Sequence, residues 1–123
     1  MADILIVDDN MAFRHMLSRI VRSRYPHSHI REANDGNGAV KETENRVPDL
    51  IFMDVRLPGE NGFELTRRIK AAHPDVVIII ITSYDSPEYR EAAFDSGADF
   101  FLSKRTSKAS DIMDRMESMF SPG

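Results

Sequence analysis

The stretch ILIVDD, residues 4–9, is a continuous apolar run that ends in two adjacent acids. Three more continuous apolar runs follow it, Leu50–Met53, Val76–Ile81 and Phe100–Leu102. Because none of these runs alternates with polar residues, each is typical of a strand buried on both faces, as in a parallel sheet. The more polar segment His29–Ala33 is a candidate for a fifth strand at the edge of that sheet.

Between these runs, apolar residues recur at helical spacing. The predicted apolar face of the first helix is formed by Phe13, Met16, Leu17, Ile20 and Val21. The third helix would bury Phe63, Leu65, Ile69 and Ala72, and the fifth Ile112, Met116, Met119 and Phe120. The second helix, at residues 38–45, has the weakest pattern. The fourth is expected to begin with Asp85 as its cap and to close at Gly97.

Strands and helices therefore alternate along the whole chain. This order predicts an α/β fold, a doubly wound five-stranded parallel sheet with right-handed crossovers and five helices on both faces. In such folds, ligands bind beyond the carboxyl ends of the strands. The residues that directly follow each apolar run are therefore the candidates for a functional site.

Composition narrows the class of protein. A length of 123 residues suits one domain, and 41% hydrophobic with 29% charged residues is typical of a globular protein. The absence of Cys excludes disulfides, zinc fingers and thiolate catalysis. A net charge of -4 disfavours general nucleic-acid binding. No run suits a signal peptide or a membrane span, so we expect a cytoplasmic protein without membrane contacts.

Polar residues with complementary chemistry follow the runs: Asp8, Asp9, Asp54, Thr82 and Lys104. Three carboxylates in one place repel one another and need a cation, and oxygen ligands suit Mg²⁺. A carboxylate can also act as a nucleophile and form an aspartyl phosphate. A transferring phosphoryl group needs positive charge and hydrogen-bond donors, which an ammonium, a hydroxyl and Mg²⁺ supply.

Each of these residues also has an ordinary interpretation. The two acids at residues 8–9 can cap a helix, and Asp54 can belong to a turn. Thr82 can simply end a strand, and Lys104 can be a surface lysine. The functional interpretation depends on all of them falling at the ends of different strands, on the edge where such folds place their sites.

The motifs of this sequence resemble those of the receiver domain of bacterial two-component response regulators. The resemblance covers nearly the whole chain, residues 1–123, and implies a flavodoxin-like sheet of strand order 2-1-3-4-5. It is carried by the segments ILIVDD (4–9), MDVRLPGENG (53–62), ITS (81–83), GAD (97–99) and LSK (102–104).

The resemblance implies specific roles for the strand-end residues. Asp54 would be the phosphoacceptor, taking its phosphoryl group from a histidine kinase. Mg²⁺ would be bound by Asp9, Asp54 and the backbone carbonyl of Arg56, with Asp8 assisting through water. Lys104 and Thr82 would contact the phosphoryl group, and Phe101 would be the aromatic switch that reorients when Thr82 moves.

The resemblance also implies an output. The fourth helix, last strand and fifth helix, at residues 87–120, would form the face that controls an output domain or partner, with transcription as one output. A phosphorylation-dependent homodimer through this face is a further expectation. The chain would catalyse only its own phosphorylation and dephosphorylation.

The sequence departs from the family pattern at two positions, and two further positions bear on dephosphorylation. Arg105 stands where the family usually has Pro, so we expect a trans Lys104–Arg105 peptide bond. Phe101 replaces a frequent Tyr. Arg56 and Tyr84 each lie two residues past a site residue, where the family tunes dephosphorylation, and their bulk and charge predict a long-lived phosphoryl group.

Three alternatives remain open from the sequence. A small aspartate-nucleophile phosphohydrolase would commonly have a second Asp two residues after Asp54, where this chain has Arg56. A flavin or nucleotide binder would need a phosphate-binding loop after the first strand, where this chain has acids. A degenerate receiver that never takes phosphate would lack part of the acid, Thr and Lys set.

Overall fold

The computed structural model describes residues 2–119. Its first half contains β1 (Asp3–Val7), α1 (Met11–Arg24), β2 (His29–Ala33), α2 (Gly36–Asn45), β3 (Leu50–Met53), β4 (Arg56–Leu57), β5 (Glu60–Asn61) and α3 (Gly62–Ala72). Its second half contains β6 (Val77–Thr82), α4 (Pro87–Asp95), β7 (Phe100–Ser103) and α5 (Ala109–Glu117). Phe120, expected on the apolar face of the fifth helix, lies outside the described residues. None of the helices within residues 2–119 has the length and apolarity that a membrane span requires.

The central sheet confirms the predicted architecture. Its five strands run parallel in the order β2-β1-β3-β6-β7, which is the expected 2-1-3-4-5 once β4 and β5 are left out. The polar strand β2 lies at an edge, as its composition predicts. The β6 strand begins and ends one residue later than its apolar run, so that Thr82 is its last residue.

The sheet divides the core into two layers, which explains why its strands are apolar on both faces. On one face β-strand side chains pack with α2, α3 and α4, and this layer includes Leu5, Val7, Ile51, Ile80, Ala39, Leu65 and Ala93. On the other they pack with α1 and α5, and this layer includes Ile4, Ile6, Phe52, Ile79, Leu17, Val21, Ile112 and Met116. A strand buried on both faces cannot alternate in polarity.

Three details of the helix predictions are wrong. Met16 is 41% exposed and Ala72 is exposed, because the buried stripe of each helix is narrower than its apolar pattern. The cap of α4 is Ser86, whose hydroxyl accepts a hydrogen bond from the Tyr89 amide. The Asp85 carboxylate instead accepts a hydrogen bond from the Ser103 hydroxyl at 2.5 Å.

A short antiparallel hairpin, formed by β4 and β5, joins β3 to α3 and was not expected from the sequence. Gly59 makes its turn with a φ of 70°. Gly62 starts α3 directly against the end of β3, and its amide donates to the Val55 carbonyl at 2.7 Å. A Cβ atom at Gly62 would lie 2.2 Å from the backbone carbonyl oxygen of Asp54. The close approach of α3 to this loop therefore requires glycine.

We expect Gly62→Ala to lower the free energy of unfolding by about 3 kcal/mol, because two backbone segments must move apart. Gly59→Ala is the comparison, since its Cβ would meet nothing within 4 Å. Gly59→Ala should lower the free energy of unfolding by only about 1 kcal/mol, because alanine disfavours the left-handed backbone at this position. Urea unfolding of both variants measures the difference, and equal losses would show that the contact at Gly62 is not limiting.

Candidate functional site

Three carboxylates meet at the carboxyl edge of the sheet. Asp8 follows β1 and Asp54 follows β3, and these strands pair with Val7 opposite Met53, so the two acids lie side by side. Asp8 and Asp54 are buried, whereas Asp9 is exposed. One oxygen from each of Asp8, Asp9 and Asp54 lies within 4.8 Å of the others. The structure thus brings together the three acids that the sequence places at strand ends.

Lys104 directly follows β7, the strand at one edge of the sheet, and supplies positive charge to these acids. Its Nζ lies 2.6 Å from Asp8 Oδ2 and 3.1 Å from Asp54 Oδ2. Burial lowers the pKa of the Lys104 ammonium, but its hydrogen bond to Asp8 and the charges of Asp54 and Asp8 outweigh this and raise that pKa above its ordinary value. The ammonium therefore stays charged between the two buried acids.

Burial has the opposite consequence for Asp8. It raises the pKa of the Asp8 carboxyl, and the charge of Asp54 adds to this. Hydrogen bonds from Lys104 and from the Asn10 amide, the latter at 2.9 Å to Asp8 Oδ1, partly offset that rise. Asp54 is held in a similar way, since its Oδ1 accepts from the Val55 amide at 2.7 Å. Each buried carboxylate thus has one oxygen on a backbone amide and the other on Lys104.

Thr82 and Phe101 lie in the two strands beside the acids. Thr82 is fully buried and its carbonyl accepts from the Lys104 amide at 2.9 Å, so it lies next to the lysine as expected. Its hydroxyl oxygen accepts a hydrogen bond from the Tyr84 amide at 3.3 Å. Phe101 is buried and pairs with Ile80, so the structure places it deeper in the sheet than Thr82.

Arg56 and Tyr84 form a stacked pair with a third partner that the sequence did not indicate. The Arg56 guanidinium lies 4.3 Å from the centre of the Tyr84 ring and donates to the Tyr89 hydroxyl at 3.0 Å. The Tyr89 ring in turn lies 5.7 Å from Tyr84 and 6.0 Å from Phe63. Arg56 therefore connects the hairpin to α4. Periodicity could have placed Tyr89 on α4, but its contact depends on a side chain from a distant segment.

Arg105, which replaces the usual Pro, has its own contacts. The Lys104–Arg105 peptide bond is trans, as expected. The Arg105 amide donates to Ser103 Oγ at 3.1 Å, and its guanidinium lies 3.5 Å from Asp85. Ser103 and Asp85 are also hydrogen-bonded to each other, so three polar side chains join the loop after β6 to the loop after β7.

Two further residues near the acids were missed in the sequence. The Phe13 ring lies 4.2 Å from Lys104 Nζ, where it packs against the ammonium from α1. Arg14 donates to the backbone carbonyl of Asp8 at 2.7 Å. Phe13 was predicted only as part of an apolar helix face, and Arg14 carried no sequence signal beyond its charge.

The donor set can hold a divalent cation. Three carboxylates offering oxygens within 4.8 Å of one another match the ligands that Mg²⁺ prefers, and the exposure of Asp9 leaves one side open to water. The Lys104 ammonium is placed to neutralise negative charge that is added at Asp54. Such a site can position an anionic phosphoryl group against a carboxylate nucleophile.

Comparisons with known proteins agree with this geometry. The family model of the response regulator receiver domain matches residues 4–117. The chain is 33% identical to the transcriptional regulatory protein DegU of Brevibacillus brevis, a match that covers 82% of this chain and 43% of DegU. It is 38% identical to the protein-glutamate methylesterase/protein-glutamine glutaminase 1 of Syntrophus aciditrophicus (strain SB), over 90% of this chain and 32% of that protein. The chain thus spans less than half the length of these curated relatives.

A solved structure of a receiver domain is also similar to this chain over nearly its whole length. The receiver domain of NtrX from Brucella abortus is 30% identical, with a TM-score of 0.85, and the match covers 94% of this chain and 96% of that one. The two chains are therefore similar in sequence over nearly their whole lengths, as well as in the order of their strands.

We expect Lys104→Met to lower the free energy of unfolding by about 3 kcal/mol without divalent cations, because two buried carboxylates then lose their cation. Lys41→Met is the matched control, since Lys41 is exposed on α2. Addition of Mg²⁺ should recover more stability in Lys104→Met than in the control. Chemical unfolding with and without Mg²⁺ measures both effects, and equal losses in the two variants would contradict the role given to Lys104.

Proposed function

The chain belongs to the response regulator receiver domain family, and on that premise we propose that it is a phospho-accepting signalling switch with Asp54 as its phosphoacceptor. The observation that carries the proposal is the position of Asp54, which shares Lys104 with Asp8 at the carboxyl edge of the sheet. We extend the receiver assignment from the matched residues to the whole chain, residues 1–123. The phosphodonor is a histidine kinase.

The proposed reaction is a phosphoryl transfer between two side chains. An Asp54 carboxylate oxygen attacks the phosphorus of a phosphohistidine that is protonated on its other ring nitrogen. The P–N bond breaks, its electron pair stays on the ring nitrogen, and a neutral imidazole leaves. Lys104 stabilises the charge on the phosphoryl oxygens, and it is already within hydrogen-bonding distance of Asp54. Thr82, next to Lys104 at the end of β6, would donate its hydroxyl to the same group.

The acids would hold the metal that the reaction needs. Asp9, Asp54 and the Arg56 backbone carbonyl would bind Mg²⁺ directly, with Asp8 contributing through water. When bound, Mg²⁺ supplies positive charge to the transferring phosphoryl oxygens. Asp8 keeps its ion pair with Lys104, which leaves the exposed carboxylate of Asp9 as the more accessible ligand.

The output would pass through α4, β7 and α5. Phosphorylation adds about -1.5 to -2 charge and new acceptor oxygens. Thr82 would turn towards them, Phe101 would repack, and the face at residues 87–120 would change its affinity for an output domain or partner. Phosphorylation-dependent homodimerisation would use the same face. Relatives such as DegU, named as transcriptional regulators, support an output in transcription, with DNA bound outside this domain.

The receiver domain is a signalling module, and the enzyme names among its relatives belong to proteins that it covers only in part, such as the methylesterase at 32%. We propose that this chain catalyses only its own phosphorylation and dephosphorylation. The phosphohydrolase and flavin-binding alternatives are not favoured by the family match, and the acids after β1 leave no phosphate-binding loop there.

We expect incubation with Mg²⁺ and a small phosphodonor such as acetyl phosphate to add one phosphoryl group to the protein. Asp54→Asn should abolish the addition, whereas Asp75→Asn, an exposed acid before β6 at the opposite edge of the sheet, should leave it intact. Intact-protein mass spectrometry detects the product. Unmodified wild-type protein under these conditions would overturn the proposal and make the chain a degenerate receiver.

The stacked pair of Arg56 and Tyr84 gives a prediction about the lifetime of the phosphoryl group. Both side chains would hinder water from attacking phosphorylated Asp54, so Arg56→Ala and Tyr84→Ala should each speed dephosphorylation several-fold, by on the order of 1 kcal/mol in the barrier. A dephosphorylation time course measures this, with Arg67→Ala as a control on the exposed side of α3. Time courses unchanged from wild type would remove both residues from this role.

A further inference from the structure

The main chain at Asp8 is held from both sides. The Asp8 amide donates to the Ala33 carbonyl at 3.1 Å, which joins it to β2. The Asp8 carbonyl accepts from Arg14 Nη1 at 2.7 Å. This carbonyl belongs to the peptide unit that connects Asp8 to Asp9, so Arg14 contacts the backbone between two of the three acids.

Arg14 is itself fixed in place. Its Nε lies 2.8 Å from Glu32 Oε1, and its side chain is only 13% exposed. Glu32 is in β2, where it pairs with Ile6 of β1. The planar guanidinium presents its donors in a rigid fork, so one side chain binds a carboxylate and a carbonyl at defined angles. Arg14 thereby joins α1, β2 and the loop that carries the acids.

The position of Asp9 depends on this contact. Asp9 is exposed, so packing does not fix it, whereas the buried Asp8 carboxylate is held by Lys104 and the Asn10 amide. The peptide unit is planar, so fixing the Asp8 carbonyl also orients the amide and Cα of Asp9. A charged donor makes a stronger hydrogen bond to a carbonyl than a neutral one does. The freedom that remains to the Asp9 carboxylate is therefore rotation about the backbone and side-chain bonds of Asp9 itself, beyond its Cα.

We propose that Arg14, fixed by Glu32, is a positioning residue of the Mg²⁺ site that pre-orients Asp9 through the Asp8 carbonyl. The inference rests on the proposed function, because it assumes that Asp9 is a metal ligand. Arg14 does not touch Asp54 in the structure, so its effect falls on metal affinity and not on the transfer step itself. Partners that orient metal ligands typically contribute a factor of about ten or more to metal affinity.

The test measures Mg²⁺ binding directly, by isothermal titration calorimetry of the unphosphorylated protein. Arg14→Met should weaken Mg²⁺ binding about tenfold. Glu32→Gln should weaken it less, since Arg14 keeps its contact but loses its anchor. Arg19→Met is the matched control, because it removes the same charge from an exposed position of α1 and should leave binding near the wild-type value.

Phosphorylation from acetyl phosphate gives a second measurement. Arg14→Met should need more Mg²⁺ to reach half of its maximal rate, while the maximal rate at saturating Mg²⁺ stays close to wild type. A lowered maximal rate with unchanged Mg²⁺ dependence would overturn the proposal, and so would equal weakening of Mg²⁺ binding in Arg14→Met and Arg19→Met.

The outcomes separate this inference from the proposed function. If wild-type protein neither binds Mg²⁺ nor is phosphorylated, the proposed function fails and the inference fails with it. If wild type does both and Arg14→Met binds Mg²⁺ as tightly, only the inference fails. Should Arg14→Met be unfolded in the assay, Glu32→Gln decides, and a wild-type Mg²⁺ affinity in that variant overturns the proposal.

Discussion

The parallel pairing of β1 with β3 is the constraint on which the site depends. Because Val7 lies opposite Met53, the residues that follow these strands are forced together, and both are aspartates. Like charges at this separation disfavour the folded state unless a cation lies between them. Lys104 reaches both carboxylates from the end of β7, so the outer strand supplies the charge that the two inner strands require. The order of the strands in the sheet therefore determines which charged residues meet at the site.

The residues that the sequence identified are those whose positions follow from the backbone alone. Asp8 and Asp54 directly follow apolar runs, and Lys104 lies one residue beyond its run, after Ser103. In a parallel sheet every strand end of this kind reaches the same edge. The register of the strands then brings them into contact without further information. Thr82 belongs to this group, although β6 extends one residue further than its apolar run and includes it.

The residues that the sequence missed act through side chains that cross between elements. Arg14 reaches from α1 to a carbonyl after β1, and Tyr89 reaches from α4 to Arg56 in the hairpin. Periodicity assigns such residues to a helix face but does not give their partners. The same limit applies to Met16, which is exposed although it belongs to the apolar pattern of α1. A helical pattern shows which way the apolar face points, but not how much of that face the rest of the protein covers. The hairpin itself has strands of two residues, too short for any period.

The weakly anchored α4 is the element that can respond to the site at least cost. Ala93 is its only buried residue, so little apolar contact is lost when the helix shifts. Two of its side chains contact residues assigned to the site or its switch: Tyr89 contacts Arg56, and Arg90 lies 6.0 Å from the centre of the Phe101 ring. The helices α1 and α5 instead bury Leu17, Val21, Ile112 and Met116 against the sheet. If Asp54 takes a phosphoryl group as proposed, fewer buried contacts therefore oppose a shift of α4 than a shift of α1 or α5.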